Sequence, residues 1–179
     1  MNRAGQNYYL KVLTPIAVPS VPSLRASLEA LPAADASPFA RLATTHFVRL
    51  VVLERLGAEG AGERVHVLDP PLLYLDANFS DDVDHWIDEL VRTIPDTVDA
   101  VWRHAIDYPG LDQPERFRRY LRAHQLSSHM CLATSADAAL DEVLRGLAAR
   151  AKLIELATTT QQLAPDALRR TVMAGLGAR

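Results

Sequence analysis

The sequence predicts an α+β protein in which helices cover one face of an antiparallel sheet. Segments rich in β-branched and aromatic residues alternate with segments whose leucines and valines recur at helical spacing. Their order is βαββαβ, followed by a helix, a strand and further helices. This order is typical of a ferredoxin-like module. We expect the module over residues 1–157 and a C-terminal helical tail over residues 158–179.

The composition is that of a folded globular domain. Of the 179 residues, 49% are hydrophobic and 23% are charged, and the net charge is −3. Basic residues form no long patch, so we expect no nucleic-acid partner. The N-terminus lacks the apolar core of a signal peptide, and no stretch approaches the ~18 apolar residues of a spanning helix. We therefore expect a cytoplasmic protein without a membrane partner.

Four strands are predicted from alternation and β-propensity, in addition to the ambiguous residues 98–109. Residues 8–16 (YYLKVLTPI), 44–53 and 72–79 (LLYLDANF) form three of them, and residues 127–134 form another. The glycine-rich stretch 57–64 lies between the second and third strands. Such a stretch is typical of a surface hairpin loop.

Helices are predicted from capping residues and leucine spacing. Ser23 can cap a short helix over residues 24–31. Ser80, with Asp81 and Asp82, suits a helix start, and the apolar stripe that follows from Val83 to Val91 indicates a second helix. The remaining predicted helices begin at Pro114, span residues 135–156 and begin at Pro165.

Residues 98–109 (VDAVWRHAIDYP) can be interpreted in two ways. Their β-branched and aromatic content favours a strand over a helix. In a strand, Trp102 and His104 would share a face and, with Tyr108, could line a ligand cavity. The alternative is a packed tryptophan beside a hydrogen-bonded histidine.

Alternation along the strands predicts the content of each sheet face. The apolar residues Leu73, Leu75, Ala77 and Phe79 should lie beneath the helices. On the second strand the same parity places His46 on the helix side and Thr45 on the opposite side. That opposite, open face is predicted to carry both charge signs and aromatic groups: Tyr9, Lys11, Phe47, Arg49, Tyr74, Asp76 and Asn78.

Arg49 and His46 are the most informative polar residues of the second strand. Arg49 should face a pocket on the open face, and an ion pair with Asp76 that aligns neighbouring strands is a compatible alternative. His46 is either a hydrogen-bonded strand-end residue or an acid–base group or metal donor at a pocket mouth. A β-bulge would reverse its direction.

Several segments resemble bacterial proteins of the dimeric α/β-barrel superfamily, over roughly residues 7–156. They are SPFARL, THFVRLVVL, LLYLDANFSDDVDHWIDELV, AVWRHAIDYPG and FRRYLRAHQ. The superfamily includes dye-decolourising peroxidases, chlorite dismutases, haem-degrading monooxygenases and cofactor-free monooxygenases. The resemblance implies a homodimer, and leaves haem open as a cofactor. The iron ligand would then be His124, His104 or His46, with Arg49 or Lys11 beside a propionate.

Two functions from different classes remain open. In the first, the protein binds or transforms a small, partly apolar anion, as an oxidoreductase or monooxygenase with or without haem. Arg49 and Lys11 would anchor a carboxylate, and His46 or His104 would move a proton. Apolar walls would come from Tyr9, Phe47, Tyr74 and Trp102. In the second, a non-catalytic module binds a partner protein through its sheet or its C-terminal helix.

Motifs of other enzyme classes are missing from the sequence. It contains no HExxH, no glycine-rich phosphate loop, no GxSxG and no CxxC. Cys131 is the single cysteine, which excludes an intramolecular disulfide and a cysteine-based zinc site. We therefore expect neither hydrolase nor nucleotide-dependent chemistry, and no metal site.

Overall fold

A computed structural model describes residues 7–57, 65–127, 138–161 and 163–175. The chain divides into two compact units, residues 1–140 and 141–179. Strands and helices are mixed, so the predicted α+β class is confirmed. The elements of the first unit are β1 (Tyr8–Pro15), α1 (Val21–Glu29), β2 (Thr45–Leu56), β3 (His66–Phe79), α2 (Val83–Thr93), α3 (Pro95–Trp102) and α4 (Pro114–Ala123). They are followed by α5 (Leu140–Thr159) and α6 (Pro165–Gly175).

The described sheet has three strands in the order β1-β3-β2, and both pairings are antiparallel. β1 and β2 therefore run in the same direction on either side of β3, and α1 lies in the connection between them. The outer edge of β1 is paired at two isolated positions, where Val12 bridges Gln125 and Ile16 bridges Ala105. Short segments that follow α3 and α4 thus supply partners to this edge.

The hydrophobic core lies between one sheet face and the helices α1 to α4. Leu10 and Val12 of β1, and every second residue of β3 from Leu73 to Phe79, are buried there. This confirms the predicted alternation. Burial of each such large apolar side chain stabilises the fold by about 1.5–3 kcal/mol.

Three aromatic rings form a stack at one end of the core. Phe79 is stacked on Tyr8 with ring centroids 5.3 Å apart, and on Trp86 with centroids 4.4 Å apart. The buried Trp86 indole donates a hydrogen bond of 2.8 Å to Thr45 Oγ1, which satisfies its polar N–H. The stack therefore connects β1, β3, α2 and the start of β2.

The prediction for α2 is confirmed. Asp82 is the N-cap, and its Oδ1 accepts from the backbone N–H groups of Asp84 at 2.9 Å and His85 at 3.4 Å. These are two of the orphan donors of a helix start. The buried face consists of Val83, Trp86, Ile87, Leu90 and Val91, the stripe seen in the sequence.

The prediction of a strand at residues 98–109 is wrong, because Pro95–Trp102 form the helix α3. Pro95 lies at the first helical position, where its fixed φ and missing N–H suit a helix start. Val98, Val101 and Trp102 are buried, at i, i+3 and i+4 spacing. Helical burial of this face outweighs the β-propensity of the valines.

Other boundaries also differ from the prediction. α1 begins at Val21, after the N-cap Ser20, with Pro22 in its first turn, so Ser23 lies inside the helix and does not cap it. β3 starts at His66, six residues before the predicted start. The predicted strand 127–134 lies almost wholly outside the described residues, as do residues 58–64 of the predicted loop.

The second unit contains helices where the sequence predicts them. α6 begins at Pro165 as expected, and α5 covers most of the predicted span 135–156, of which residues 135–137 lie outside the described part. Among the helices of the described ranges, none combines the length and the apolar character that a membrane crossing requires.

The Asp82 cap can be tested by paired substitutions. Asp82→Ala leaves two N–H groups of α2 without their acceptor, and we expect it to lower the free energy of unfolding by about 1 kcal/mol. Asp82→Asn removes the charge but keeps a capping oxygen, so most of that stability should remain. Urea unfolding of both variants measures the difference, and equal losses would contradict the capping role.

Candidate functional site

A row of three charged side chains crosses the open face of the sheet. Lys11, Asp76 and Arg49 are directly opposite one another on β1, β3 and β2. Lys11 Nζ donates to Asp76 Oδ1 at 3.1 Å, and Arg49 Nη2 donates to Asp76 Oδ2 at 3.0 Å. The row therefore holds two cations and one carboxylate, and carries a net charge of about +1.

Aromatic side chains border Arg49 on the same face. Its guanidinium carbon lies 5.9 Å from the ring centroid of Phe47 and 5.9 Å from that of Tyr74. These distances permit a cation–π attraction. The Arg49 side chain is 55% exposed and Phe47 is 47% exposed, whereas Asp76 is only 15% exposed. The cation and one of its aromatic neighbours are thus accessible, and the carboxylate between the cations is not.

The ion pair with Asp76 keeps Lys11 charged. Burial opposes the charge of Lys11, but the hydrogen bond and the negative charge of Asp76 outweigh it and raise the pKa of Lys11. Lys11 therefore remains an ammonium at neutral pH. The ion pair between Arg49 and Asp76, which was the predicted alternative, is present. It leaves the Arg49 side chain half exposed.

Asn78 adds a polar atom beside this row. It is opposite Tyr9 on β1 and Phe47 on β2. Its buried Oδ1 accepts no hydrogen bond from any residue in the described ranges. Buried carbonyl oxygens normally have a donor. This oxygen therefore lacks, among the described residues, the donor that a buried carbonyl usually has.

A β-bulge at the start of β2 determines where His46 points. Thr45 is opposite Phe79 and Phe47 is opposite Asn78, so His46 is the extra residue between two ladder positions. The bulge turns Thr45 to the helix side, where it accepts the hydrogen bond from Trp86. The prediction that Thr45 lies on the open face is therefore wrong.

His46 belongs to a hydrogen-bonded chain that the sequence did not reveal. Its Nε2 is bonded to Ser80 Oγ, and Ser80 Oγ donates to Asn7 Oδ1 at 3.0 Å. Burial lowers the pKa of His46 below its ordinary value of 6.5, so the imidazole is neutral at pH 7. In sequence, Ser80 was recognisable only as part of a helix start, because 34 residues separate it from His46.

A cleft of about 300 Å³ opens beside His46 at the outer edge of β2. Phe39 and Ser37 form one side of it, and His46 and Phe47 form the other. A second cleft of about 190 Å³ shares the lining residues Ser37, Phe39 and Val48 with it. Phe47 lines the larger cleft and also faces the Arg49 guanidinium, so it joins the cleft to the charged row.

Four predicted site residues lie away from this face, and His124 is one of them. Trp102 is fully buried in the helix layer, 5.5 Å from the Phe117 ring, and does not face the charged row. Tyr108 donates to Asp99 at 3.2 Å, and burial together with Asp99 raises the pKa of its hydroxyl. Burial and the neighbouring arginine lower the pKa of His104, which lies near the outer edge of β1.

His124 caps the end of α4 on the helix side of the sheet. Its Nδ1 is 2.9 Å from the Tyr120 carbonyl oxygen, which can only accept, so Nδ1 carries the hydrogen. The ring lies 4.6 Å from that of Tyr120. The backbone carbonyl of His124 accepts from Leu13 N at 3.0 Å and so ties α4 to β1.

The three histidines that the resemblance offers as iron ligands lie at three separate places in the structure. His124 packs on Tyr120, a buried residue of the helix layer, whereas Arg49, the expected propionate partner, lies on the open face. His104 lies beside β1, and His46, on β2, is hydrogen-bonded to Ser80. In the described residues, neither Arg49 nor Lys11 lines the cleft beside His46.

Comparison with models of protein families, with curated proteins and with solved structures found no match for the chain. In the described ranges, no three histidine, cysteine, aspartate or glutamate side chains converge as metal ligands. The residues of the open face and of the cleft are therefore the basis for any functional conclusion.

The lowered pKa of His46 gives a testable pH dependence. The ordinary pKa of histidine is 6.5, so below this pH His46 of the unfolded chain binds a proton. In the folded chain, burial of the imidazole opposes this protonation. The free energy of unfolding should therefore fall as the pH decreases from 6.5 through the lower pKa of the folded state. His46→Gln should remove this part of the acid sensitivity, measured by urea unfolding between pH 7.5 and 5.

The matched control is His66→Gln, since His66 is an exposed histidine at the start of β3. Its unfolding curves should keep the pH dependence of the unchanged protein. An NMR titration of the His46 imidazole that gives a pKa at or above 6.5 would contradict the burial argument.

Proposed function

We propose that the protein binds a small, partly apolar carboxylate on the open face of its sheet. The observation that carries this proposal is the half-exposed Arg49, positioned by Asp76 and bordered by Phe47 and Tyr74. A cation held beside exposed aromatic surface is complementary to a molecule with an anionic head and an apolar body.

Arg49 and Lys11 are the proposed anchors of the carboxylate. A guanidinium has five N–H donors in a planar fork, and the described bond to Asp76 uses Nη2. Asp76 neutralises one of the two cations, so the row retains the single positive charge that a carboxylate requires. Because Asp76 also restricts both side chains, binding costs less conformational entropy than it would with free side chains.

Phe47 and His46 are proposed to contact the rest of the ligand. Three residues along an extended strand span about 10 Å, the distance from the Arg49 row to the His46 position. A ligand of that length would lie across Phe47 and reach the cleft of about 300 Å³. The neutral His46 could exchange a proton with the ligand, and Ser80 would orient the imidazole. This arrangement would allow cofactor-free acid–base chemistry.

We also propose that the first unit is a ferredoxin-like module that pairs through its open face. The antiparallel order β1-β3-β2 agrees with that arrangement. The pairing of Gln125 with Val12 supports it further, because the segment after α4 then lies where a fourth strand would be. Two open faces brought together would enclose the charged rows in one barrel and strengthen their electrostatic interactions.

The binding proposal can be tested with 1-anilinonaphthalene-8-sulfonate, an anionic and apolar fluorescent probe. We expect the probe to bind and to be displaced by 4-phenylbutyrate, but not by the neutral 4-phenylbutanol. Arg49→Met should weaken binding of the probe about tenfold, or about 1.4 kcal/mol, because a charge-assisted contact is lost.

Arg25→Met is the matched control. Arg25 forms an exposed ion pair with Glu54, and neither residue belongs to the charged row, so this variant should bind the probe normally. If Arg49→Met lowers stability, Arg49→Lys keeps the charge and should give intermediate affinity. Unchanged binding in folded Arg49→Met, or equal displacement by the alcohol, would show that the proposal is wrong.

A further inference from the structure

The helix α5 carries an apolar stripe along one side. Leu140, Leu144, Leu147, Ala151 and Ile154 follow one another at alternating steps of four and three residues. At 3.6 residues per turn these five positions fall within an arc of about 80°. Such a 3.5-residue repeat is the pattern of a coiled-coil seam.

Three leucine and isoleucine side chains of this stripe are exposed. Leu144 is 55% exposed, Leu147 is 53% exposed and Ile154 is 52% exposed. The helix α6 follows in the same unit, and these three side chains remain more than half exposed beside it. Helices of soluble proteins normally bury such a stripe, and a large exposed apolar patch marks an interaction surface.

The charges that flank the stripe identify its partner. With Leu144 and Ala151 at heptad positions a, and Leu140, Leu147 and Ile154 at positions d, Arg150 is at position g and Glu155 at position e. In a parallel pair of helices, position g of one helix faces position e five residues later on the other. In a parallel pair of α5 helices, Arg150 would therefore meet Glu155 of the second copy, and the two-fold symmetry would repeat this contact.

We propose that α5 pairs with α5 of a second copy of this chain in a parallel, two-stranded coiled coil. An antiparallel pair would instead place position e opposite position e. The charged e positions are Asp141 and Glu155, which are both acidic and would repel one another. The charge pattern therefore favours the parallel orientation. This pairing does not depend on the ligand site.

The full-length chain tests the pairing by sedimentation equilibrium. We expect a dimer at micromolar concentration, and Leu147→Asp should weaken its association at least tenfold because a charge enters the seam. Leu153→Asp is the control, since Leu153 is also 53% exposed but lies off the stripe. Its dimer should persist. Circular dichroism confirms that both variants keep their helix content.

Exchanging the charges of Arg150 and Glu155 tests the proposed contact between these two residues of paired copies. Arg150→Glu alone and Glu155→Arg alone should each weaken the dimer, because like charges then meet across the seam. The double variant restores opposite charges and should recover most of the association. If the double variant is no better than the single ones, the assigned contact is wrong.

A cysteine at the end of the stripe tests the orientation. With Cys131 replaced by serine, Ile154→Cys should form an intermolecular disulfide under mild oxidation, because equivalent d positions are adjacent in a parallel pair. Failure to cross-link, a monomeric wild-type chain, a trimer or tetramer, or a dimer unaffected by Leu147→Asp would each overturn the proposal.

Discussion

The central position of β3 constrains the rest of the first unit. β3 is paired on both sides, so each of its side chains from Leu72 to Phe79 faces either the helices or the open face. The helix side is filled by Leu73, Leu75, Ala77 and Phe79, all of them buried. A shift of one residue in register would bring Asp76 into this core, and burying an unpaired carboxylate there would be prohibitive.

The same constraint explains the polar residues of the open face. Asp76 must lie on that face, and it is mostly covered by its neighbours, so it needs cations at the matching positions of β1 and β2. Lys11 and Arg49 occupy those positions. A structural requirement of the sheet thereby places a half-exposed guanidinium among aromatic rings, and the same contacts that align the strands also preorganise the proposed anion site.

The His46 bulge gives the edge of β2 a different chemistry. Without the extra residue, strict alternation would direct His46 into the helix layer and Thr45 away from Trp86. The bulge lets Thr45 satisfy the buried indole, and lets His46 contact Ser80 beside an open cleft. Bulges often redirect side chains in this way at the edges of sheets. One irregular position thus serves both the core and the candidate site.

The sequence by itself determined the α+β class, the three strands, the apolar stripe of α2 and the membership of the charged row, because these depend on local periodicity. Tertiary structure decided the rest. Burial against neighbouring helices made residues 95–102 a helix despite their valines. The bulge and the contact of His46 with Ser80 depend on strand pairing and on residues far apart in the chain. Such contacts arise from packing, which no local pattern encodes.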